Sequence, residues 1–84
     1  MPITDDFAKA QADVKTLKEK PDNATLLELY ALYKQGTEGD AAGRRPGIMD
    51  PVGRAKFDAW ATKKGAGNDD AMKDYVAYVK KLLA

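Results

Sequence analysis

A chain of 84 residues, 44% of them hydrophobic, is long enough for one modest core and is expected to form a single domain, residues 1–84. Any ligand must then lie in a surface groove or along the edge of that core. The formal net charge of +1 is too small for a nucleic-acid binder, whose affinity grows with the number of phosphates it neutralises, so no nucleic-acid partner is expected.

The first predicted helix starts near Thr4, and Pro21 ends it. Its apolar residues recur at spacings of three and four, as one face of a helix requires: Phe7, Ala10, Val14 and Leu17. Acidic residues open this segment, and lysines as late as Lys20 close it, which suits the dipole of a helix that extends almost to the proline.

The second predicted helix begins at a cap, Asp22 or Asn23, and ends at Gly36 or Gly39. It is apolar over most of its circumference, so we expect it at the centre of the fold. The region from there to Met49 is rich in glycine and predicts a loop of roughly ten to twelve residues, longer than most connections in helical bundles. Such a loop is either functional or a simple span across the bundle, and the pattern leaves both open.

The third predicted helix starts with the cap Asp50 and Pro51, buries Trp60 in the core, and stops at Gly65. The fourth is capped by Gly67 or Asn68, and its apolar residues keep a clear helical period: Ala71, Met72, Tyr75, Val76, Val79 and Leu82 or Leu83. No strand pattern competes with these four segments. The chain is therefore predicted to be all-α.

Several residue types that support catalysis and metal binding are absent from the chain. It contains no His, Cys or Ser, which removes the usual nucleophile pairs and every thiolate or imidazole zinc site. The acidic pairs Asp5–Asp6 and Asp69–Asp70 each stand at a predicted helix start, where they stabilise the helix dipole. We therefore expect no enzyme, no catalytic residue, no metal and no cofactor.

The sequence also bears on location. No apolar run approaches the roughly 20 residues that cross a bilayer, and the first residues lack the basic and apolar regions of a secretory signal. We expect a cytoplasmic monomer.

Aromatic rings and cations alternate in the middle of the chain. Tyr30, Tyr33 and Lys34 project from neighbouring positions of one helix, while Lys56 follows the loop and Tyr75 lies on the last helix. Residues 34–64 hold seven cations and four anions, a local charge of +3. A base that stacks on a ring and a phosphate that meets an ammonium would both find partners here, so this constellation favours a compact anionic ligand.

The chain resembles the acyl-coenzyme A (acyl-CoA) binding protein family without a gap from Phe7 to Tyr75. The motifs that carry the resemblance are Val14–Lys18, Tyr30–Asp40, Arg45–Gly47, Gly53–Trp60 and Asp70–Tyr75. The resemblance implies a four-helix bundle in up-down-down-up order with a long loop between the second and third helices. It also implies a non-catalytic carrier that binds medium- to long-chain acyl-CoA, buffers and transports it, and transiently contacts acyl-CoA-using enzymes or membrane surfaces.

The resemblance also implies the ligand-binding residues. Tyr30, Lys34 and Lys56 would hold the 3′-phosphate, with Tyr33 and Tyr75 flanking the nucleotide and Lys15 nearby. The acyl chain needs an apolar groove, for which Leu26, Leu27 and the face of the first helix are the available lining.

The sequence departs from the family at a few positions. Phe57 stands where the family usually has Trp, and Val52 stands where Lys is common. Arg44 adds a cation that either contacts phosphate or faces water, and we expect it to face water. An alternative of a different class stays open, a helical interaction module whose basic centre docks an acidic partner protein.

Overall fold

Four α-helices make up all the regular secondary structure of residues 3–84, the part of the chain that the computed structural model describes. They are α1 (Ile3–Val14), α2 (Asn23–Glu38), α3 (Pro51–Ala61) and α4 (Asn68–Leu83). Residues 1 and 2 of the predicted domain lie outside the described range. Within that range, no helix has the length and apolar character that crossing a bilayer demands. The all-α prediction is confirmed.

The first helix is shorter than predicted. It ends at Val14, and the next residues form tight turns in which the N–H of Thr16 donates to the carbonyl of Asp13 at 2.9 Å. The Thr16 hydroxyl donates to the same carbonyl at 2.6 Å. A hydroxyl that bonds to the backbone in this way competes with the helical ladder, so the helix stops well before Pro21.

The second helix has the caps that its sequence predicts. The Asp22 carboxylate accepts a hydrogen bond from the N–H of Thr25 at 2.8 Å, and Gly39 ends the helix with a φ of 83°, a conformation that glycine adopts without strain. Gly36, the alternative end, is buried inside the helix. A Cβ at Gly36 would stand 3.1 Å from Met72 of α4, so this glycine lets the two helices approach closely.

The helices lie side by side in the order α1, α4, α2, α3. The second helix packs against α4 on one side and α3 on the other, and α4 also packs against α1. The central position predicted for α2 is therefore confirmed. The core between α1, α2 and α4 is formed by these buried residues: Phe7, Ala10, Leu29, Leu32, Tyr75 and Val79. Within it, the Phe7 ring stands edge-on to the Tyr75 ring at 5.0 Å between ring centroids.

The loop of residues 39–50 lets α2 and α3 run in the same direction, in the up-down-down-up order that the resemblance implies. It is fastened to α3 at two points. The indole N–H of Trp60 donates to the carbonyl of Gly39 at 2.7 Å, and the Arg45 guanidinium donates twice to the Asp58 carboxylate, at 2.6 and 2.7 Å. Trp60 is buried, as predicted.

The third helix begins as predicted but ends early. The Asp50 carboxylate accepts from the N–H of Gly53 at 3.0 Å, which caps the helix start. The helix ends at Ala61 and not at Gly65, because the Thr62 hydroxyl bonds to the Ala59 carbonyl and the chain continues as turns.

A buried glutamine joins the end of α2 to the connection between α3 and α4. The Gln35 amide donates to the Asp40 carboxylate at 2.9 Å and to the carbonyl of Ala66 at 2.8 Å. The same carboxylate oxygen accepts from the N–H of Gly65 at 2.8 Å. The hydrogen bond from the Gly65 backbone, followed by that from Gln35, lowers the pKa of Asp40.

We expect acid to weaken the fold partly through Asp40. A pKa that is lower in the folded state contributes stability above the ordinary aspartate pKa, and this contribution is lost as pH falls through the lowered value. Asp40→Asn should therefore be less stable than the wild type at pH 7, and the difference should narrow at about pH 3. Urea unfolding at both pH values measures this. A difference that stays constant with pH would contradict the role of the charge.

Candidate functional site

An apolar groove runs between α2 and α3. Its volume is about 360 Å³, within the range of roughly 300 to 1,000 Å³ that is usual for ligand sites. On the α2 side, Leu26 and Leu27 stand four and three residues before Tyr30, so both neighbour Tyr30 on the helix surface. The complete lining, which we call the α2–α3 groove, comprises Asn23, Leu26, Leu27, Tyr30, Pro51, Val52, Ala55 and Lys56.

A lysine lies over an aromatic ring at the edge of this groove. The Lys56 ammonium of α3 is 5.5 Å from the centre of the Tyr30 ring of α2, a cation–π contact between the two helices. Lys56 is exposed and Tyr30 is half-buried. The apolar groove thus borders a ring and a positive charge that water still reaches.

A second hollow of about 360 Å³ lies on the other side of Tyr30. We call it the tyrosine hollow, and its lining comprises Val14, Lys15, Pro21, Leu26, Leu29, Tyr30, Tyr33 and Tyr75. Tyr75 is buried, and this burial raises the pKa of its hydroxyl, so the group stays protonated at neutral pH. Leu26 and Tyr30 line both hollows, so the two meet along α2.

Lys34 stands apart from both linings. Its ammonium pairs with the Glu38 carboxylate one helical turn away and lies 4.9 Å from the centre of the Trp60 ring. The hydrogen bond to Glu38 raises the pKa of Lys34, so this lysine is fully charged at neutral pH. Its side chain is only 21% exposed, which shows that the ring and the carboxylate cover much of it.

The predicted ligand residues therefore fall into three places. Lys15, Tyr33 and Tyr75 lie in the tyrosine hollow, Leu27 and Lys56 in the α2–α3 groove, and Lys34 beside Glu38. Tyr30 and Leu26 line both the tyrosine hollow and the α2–α3 groove. Neither arginine of the loop lies in these three places: Arg45 is paired with Asp58, and Arg44 is exposed to water.

Two helices face the residues predicted to line the acyl groove. The wall opposite Leu27 is α3, whereas Val14 of α1 lines the tyrosine hollow together with Leu26. Which of these surfaces holds the acyl chain stays a prediction. The sequence reasoning missed Pro51, Val52 and Ala55 as groove residues, although Val52, Ala55 and Lys56 share one face of a helix by their spacing. It also missed Glu38, which stands four residues after Lys34.

The arrangement suits binding more than bond-breaking chemistry. An apolar groove that ends beside an aromatic ring and an ammonium matches a ligand with a long apolar chain and an anionic, aromatic end. Among residues 3–84, no group of three or more acidic side chains is placed to hold a metal ion.

Comparison with known proteins agrees with this geometry. The family model described as Acyl CoA binding protein matches residues 4–79. The chain is 54% identical to Acyl-CoA-binding protein homolog 1 of Caenorhabditis elegans, over 98% of this chain and 95% of that protein. It is 47% identical to the Acyl-CoA-binding protein homolog of Manduca sexta, over 100% of this chain and 94% of that one.

Solved structures show the same fold. The crystal structure of Oryza sativa Acyl-CoA-Binding Protein 2 superposes with a TM-score of 0.91 at 40% identity and covers 96% of this chain and 88% of that one. The crystal structure of ACBP from Moniliophthora perniciosa gives a TM-score of 0.88 at 37% identity, over 99% and 81% of the two chains. With a family model across most of its length and relatives that match from end to end, the chain belongs to the acyl-CoA binding protein family.

Proposed function

We propose that this protein is a non-catalytic carrier of medium- to long-chain acyl-CoA, a single domain that works as a cytoplasmic monomer and serves to buffer and transport its ligand. The observation that carries the proposal is the apolar α2–α3 groove that ends at the Tyr30–Lys56 contact. This juxtaposition offers one site to an acyl chain and another to a charged nucleotide. Membership of a family named for acyl-CoA binding supports the same ligand.

The acyl chain occupies the α2–α3 groove in this proposal. Each buried methylene contributes roughly 0.8 kcal/mol, so a chain of a dozen methylenes outweighs the polar contacts of the head group. Leu26 and Leu27 form the α2 wall, and Val52 and Ala55 form the α3 wall.

The head group lies where rings and ammonium groups meet. Tyr30, Lys34 and Lys56 bind the 3′-phosphate, because charge-assisted hydrogen bonds to a dianion are roughly twice as strong as neutral ones. The nucleotide extends into the tyrosine hollow, where Lys15, Tyr33 and Tyr75 lie. For Lys34 this requires a change of partner, from Glu38 to the phosphate.

The carrier does not hydrolyse its ligand. A thioesterase needs a nucleophile and a base, and the chain has no Ser, Cys or His to supply them. Incubation of the protein with palmitoyl-CoA, followed by measurement of free thiol, should show no release above the blank. Release that grows with protein concentration would contradict this part of the proposal.

A binding titration tests the proposed function directly. Calorimetry should show that palmitoyl-CoA binds orders of magnitude more tightly than CoA alone, because CoA has no acyl chain to remove the apolar surface of the α2–α3 groove from water. None of the matches reported above supports the alternative of a module that docks an acidic protein. Equal affinity for both ligands would nevertheless favour that alternative.

The proposed phosphate contacts give a specific expectation. Lys34→Ala and Lys56→Ala should each weaken the binding of palmitoyl-CoA by about 1.5 to 3 kcal/mol through loss of a charged contact. The loss should be larger for Lys56→Ala, because Lys34 has Glu38 as a competing partner. Isothermal titration measures both affinities.

The control for these variants is a ligand without the 3′-phosphate, for which both substitutions should cost much less. Lys73→Ala, which removes an exposed lysine from α4, is the matched protein control and should bind like the wild type. If the two lysine variants lost the same affinity for both ligands, the phosphate assignment would fail.

A further inference from the structure

Three apolar side chains are strongly exposed at the start of α3. Ile48 is 76% exposed, Met49 is 93% exposed and Val52 is 64% exposed, and all three fall within five consecutive positions. We call them the Ile48 patch. The other exposed large apolar residues of the described range, Tyr33 and Leu83, are each less than half exposed. Isolated exposed apolar residues are ordinary, but a cluster of this kind marks an interaction surface.

The patch is held in a fixed position. The turn before α3 is closed by the N–H of Asp50, which donates to the carbonyl of Gly47 at 3.0 Å. The Asp50 carboxylate is turned toward the helix start, where it accepts from Gly53. The pair between Arg45 and Asp58 fastens the preceding loop to α3. These bonds present Ile48 and Met49 outward on an ordered turn.

The surroundings of the patch are positively charged. Residues 44–58 carry four cations (Arg44, Arg45, Arg54 and Lys56) and two anions (Asp50 and Asp58), a local charge of +2. Asp58 pairs with Arg45, so the positive charge comes from the other three cations. Exposed apolar side chains beside cations complement the surface of an anionic lipid bilayer, where the apolar groups enter the interface and the cations meet phosphate.

The patch is also continuous with the groove. Val52 belongs to the patch and, with Pro51, lines the α2–α3 groove opposite Leu26 and Leu27. We propose that the Ile48 patch docks the protein on anionic bilayers, so that an acyl chain passes between lipid and groove with little exposure to water. This proposal rests on the proposed function and adds the partner and the surface that the transfer step uses.

Vesicle binding of the full chain tests the proposal. Vesicles of phosphatidylcholine with about one third phosphatidylserine should bind the wild type, and pure phosphatidylcholine vesicles should bind it at least about tenfold more weakly. The double variant Ile48→Asn/Met49→Asn should bind the anionic vesicles at least about tenfold more weakly than the wild type. The matched control is Leu83→Asn, which removes an exposed apolar residue elsewhere and should bind like the wild type.

Two single variants that each remove one positive charge test the role of charge in vesicle binding. Arg44→Gln should reduce binding to the anionic vesicles severalfold, while Lys73→Gln, an exposed lysine on α4, should not. The double variant should still bind palmitoyl-CoA in solution with wild-type affinity, which shows that its fold and groove are intact. It should take up palmitoyl-CoA from anionic vesicles more slowly than the wild type does.

The outcomes that contradict the proposal differ from those that contradict the function. If the double variant bound vesicles like the wild type, or altered self-association in sedimentation velocity instead, the patch would not be a membrane surface. A wild type that bound neutral and anionic vesicles equally would remove the charge argument and overturn the proposal. Failure of the wild type to bind palmitoyl-CoA in solution would contradict the proposed function and not the surface.

The ion pair of Lys34 carries a second, independent inference. The Glu38 carboxylate holds the ammonium that the proposed function assigns to the 3′-phosphate, and both residues lie on one helix turn. An incoming phosphate must displace this carboxylate. We infer that Glu38 acts as an internal competitor that weakens the affinity for the coenzyme head group and makes ligand release easier.

Glu38→Gln should therefore tighten the binding of palmitoyl-CoA by about two- to fivefold, the range expected for an ion pair at the protein surface that water partly reaches. The effect should vanish in the Lys34→Ala background and for a ligand that lacks the 3′-phosphate. Glu19→Gln removes the same charge from an exposed site outside the helices and should leave the affinity unchanged. Equal tightening by both glutamate variants would show a general charge effect and overturn the inference.

Discussion

Replacement of Trp60 by Ala should destabilise the fold by about 3 to 5 kcal/mol, the usual cost of truncating a buried Trp. The ring is buried between α3 and the rest of the protein, and it packs against Phe57 at 6.2 Å between ring centroids. Its N–H also donates to the carbonyl of Gly39, which would lose its partner. Since small domains are stable by about 5 to 15 kcal/mol, this variant should be marginally folded. Urea unfolding measures the difference.

Trp60→Phe separates the contribution of the buried ring from that of its hydrogen bond to Gly39. It keeps most of the apolar volume but lacks the N–H, so it should cost about 1 to 3 kcal/mol, the penalty for a half-buried carbonyl that loses its hydrogen-bond partner. Ligand affinity of the folded fraction should change little in either variant, apart from a small effect through Lys34, which rests on the ring. If Trp60→Ala unfolded like the wild type but no longer bound palmitoyl-CoA, Trp60 would belong to the binding site and not to the core.

The second large effect concerns the acyl chain. Affinity should rise by roughly 0.8 kcal/mol for each added methylene until the α2–α3 groove is full, and then level off. Leu27→Asn should flatten this dependence, because Leu27 forms part of the groove wall and an amide cannot bond to a hydrocarbon. The affinity for CoA without an acyl chain should stay nearly unchanged. Calorimetry with chains of about eight to twenty carbons measures the slope.

Leu83→Asn is the matched control for this experiment, since it introduces the same amide on α4, outside the α2–α3 groove. It should keep the wild-type dependence on chain length. A Leu27→Asn variant with an unaltered slope would show that the acyl chain lies elsewhere. If Leu27→Asn lost affinity for free CoA as strongly as for palmitoyl-CoA, the groove and the head-group site would not be separate.

The helix starts could be predicted because their signals are local. Asp22 and Asp50 each bond to an N–H three residues ahead, so the cap and its partner are contiguous in the chain. The ends of α1 and α3 were predicted too late. Thr16 and Thr62 bond to carbonyls three residues back, and the resulting turns keep an almost helical spacing that apolar periodicity does not distinguish from helix.

Some features of the candidate site also follow from local spacing in the sequence, and others depend on tertiary packing. The sequence by itself determined that Tyr30, Tyr33 and Lys34 share neighbouring positions, because the geometry of one helix places residues three and four apart together. The same spacing applies to Lys34 and Glu38, but the sequence reasoning missed that pair. The sequence also determined, through the missing residue types, that the usual nucleophile pairs and zinc sites are absent.

Only the tertiary structure decided which wall faces Leu27 and which ring lies under Lys56. Those contacts join α2 to α3 across a loop of residues 39–50, and its path depends on the bonds of Trp60 to Gly39 and of Arg45 to Asp58. Helical periodicity shows which face of a helix is apolar but not which helix covers it. Which helix covers it depends on the packing of all four helices. Phe7 and Ala10 of α1 are buried in the core, and residues of α3 form the second wall of the α2–α3 groove.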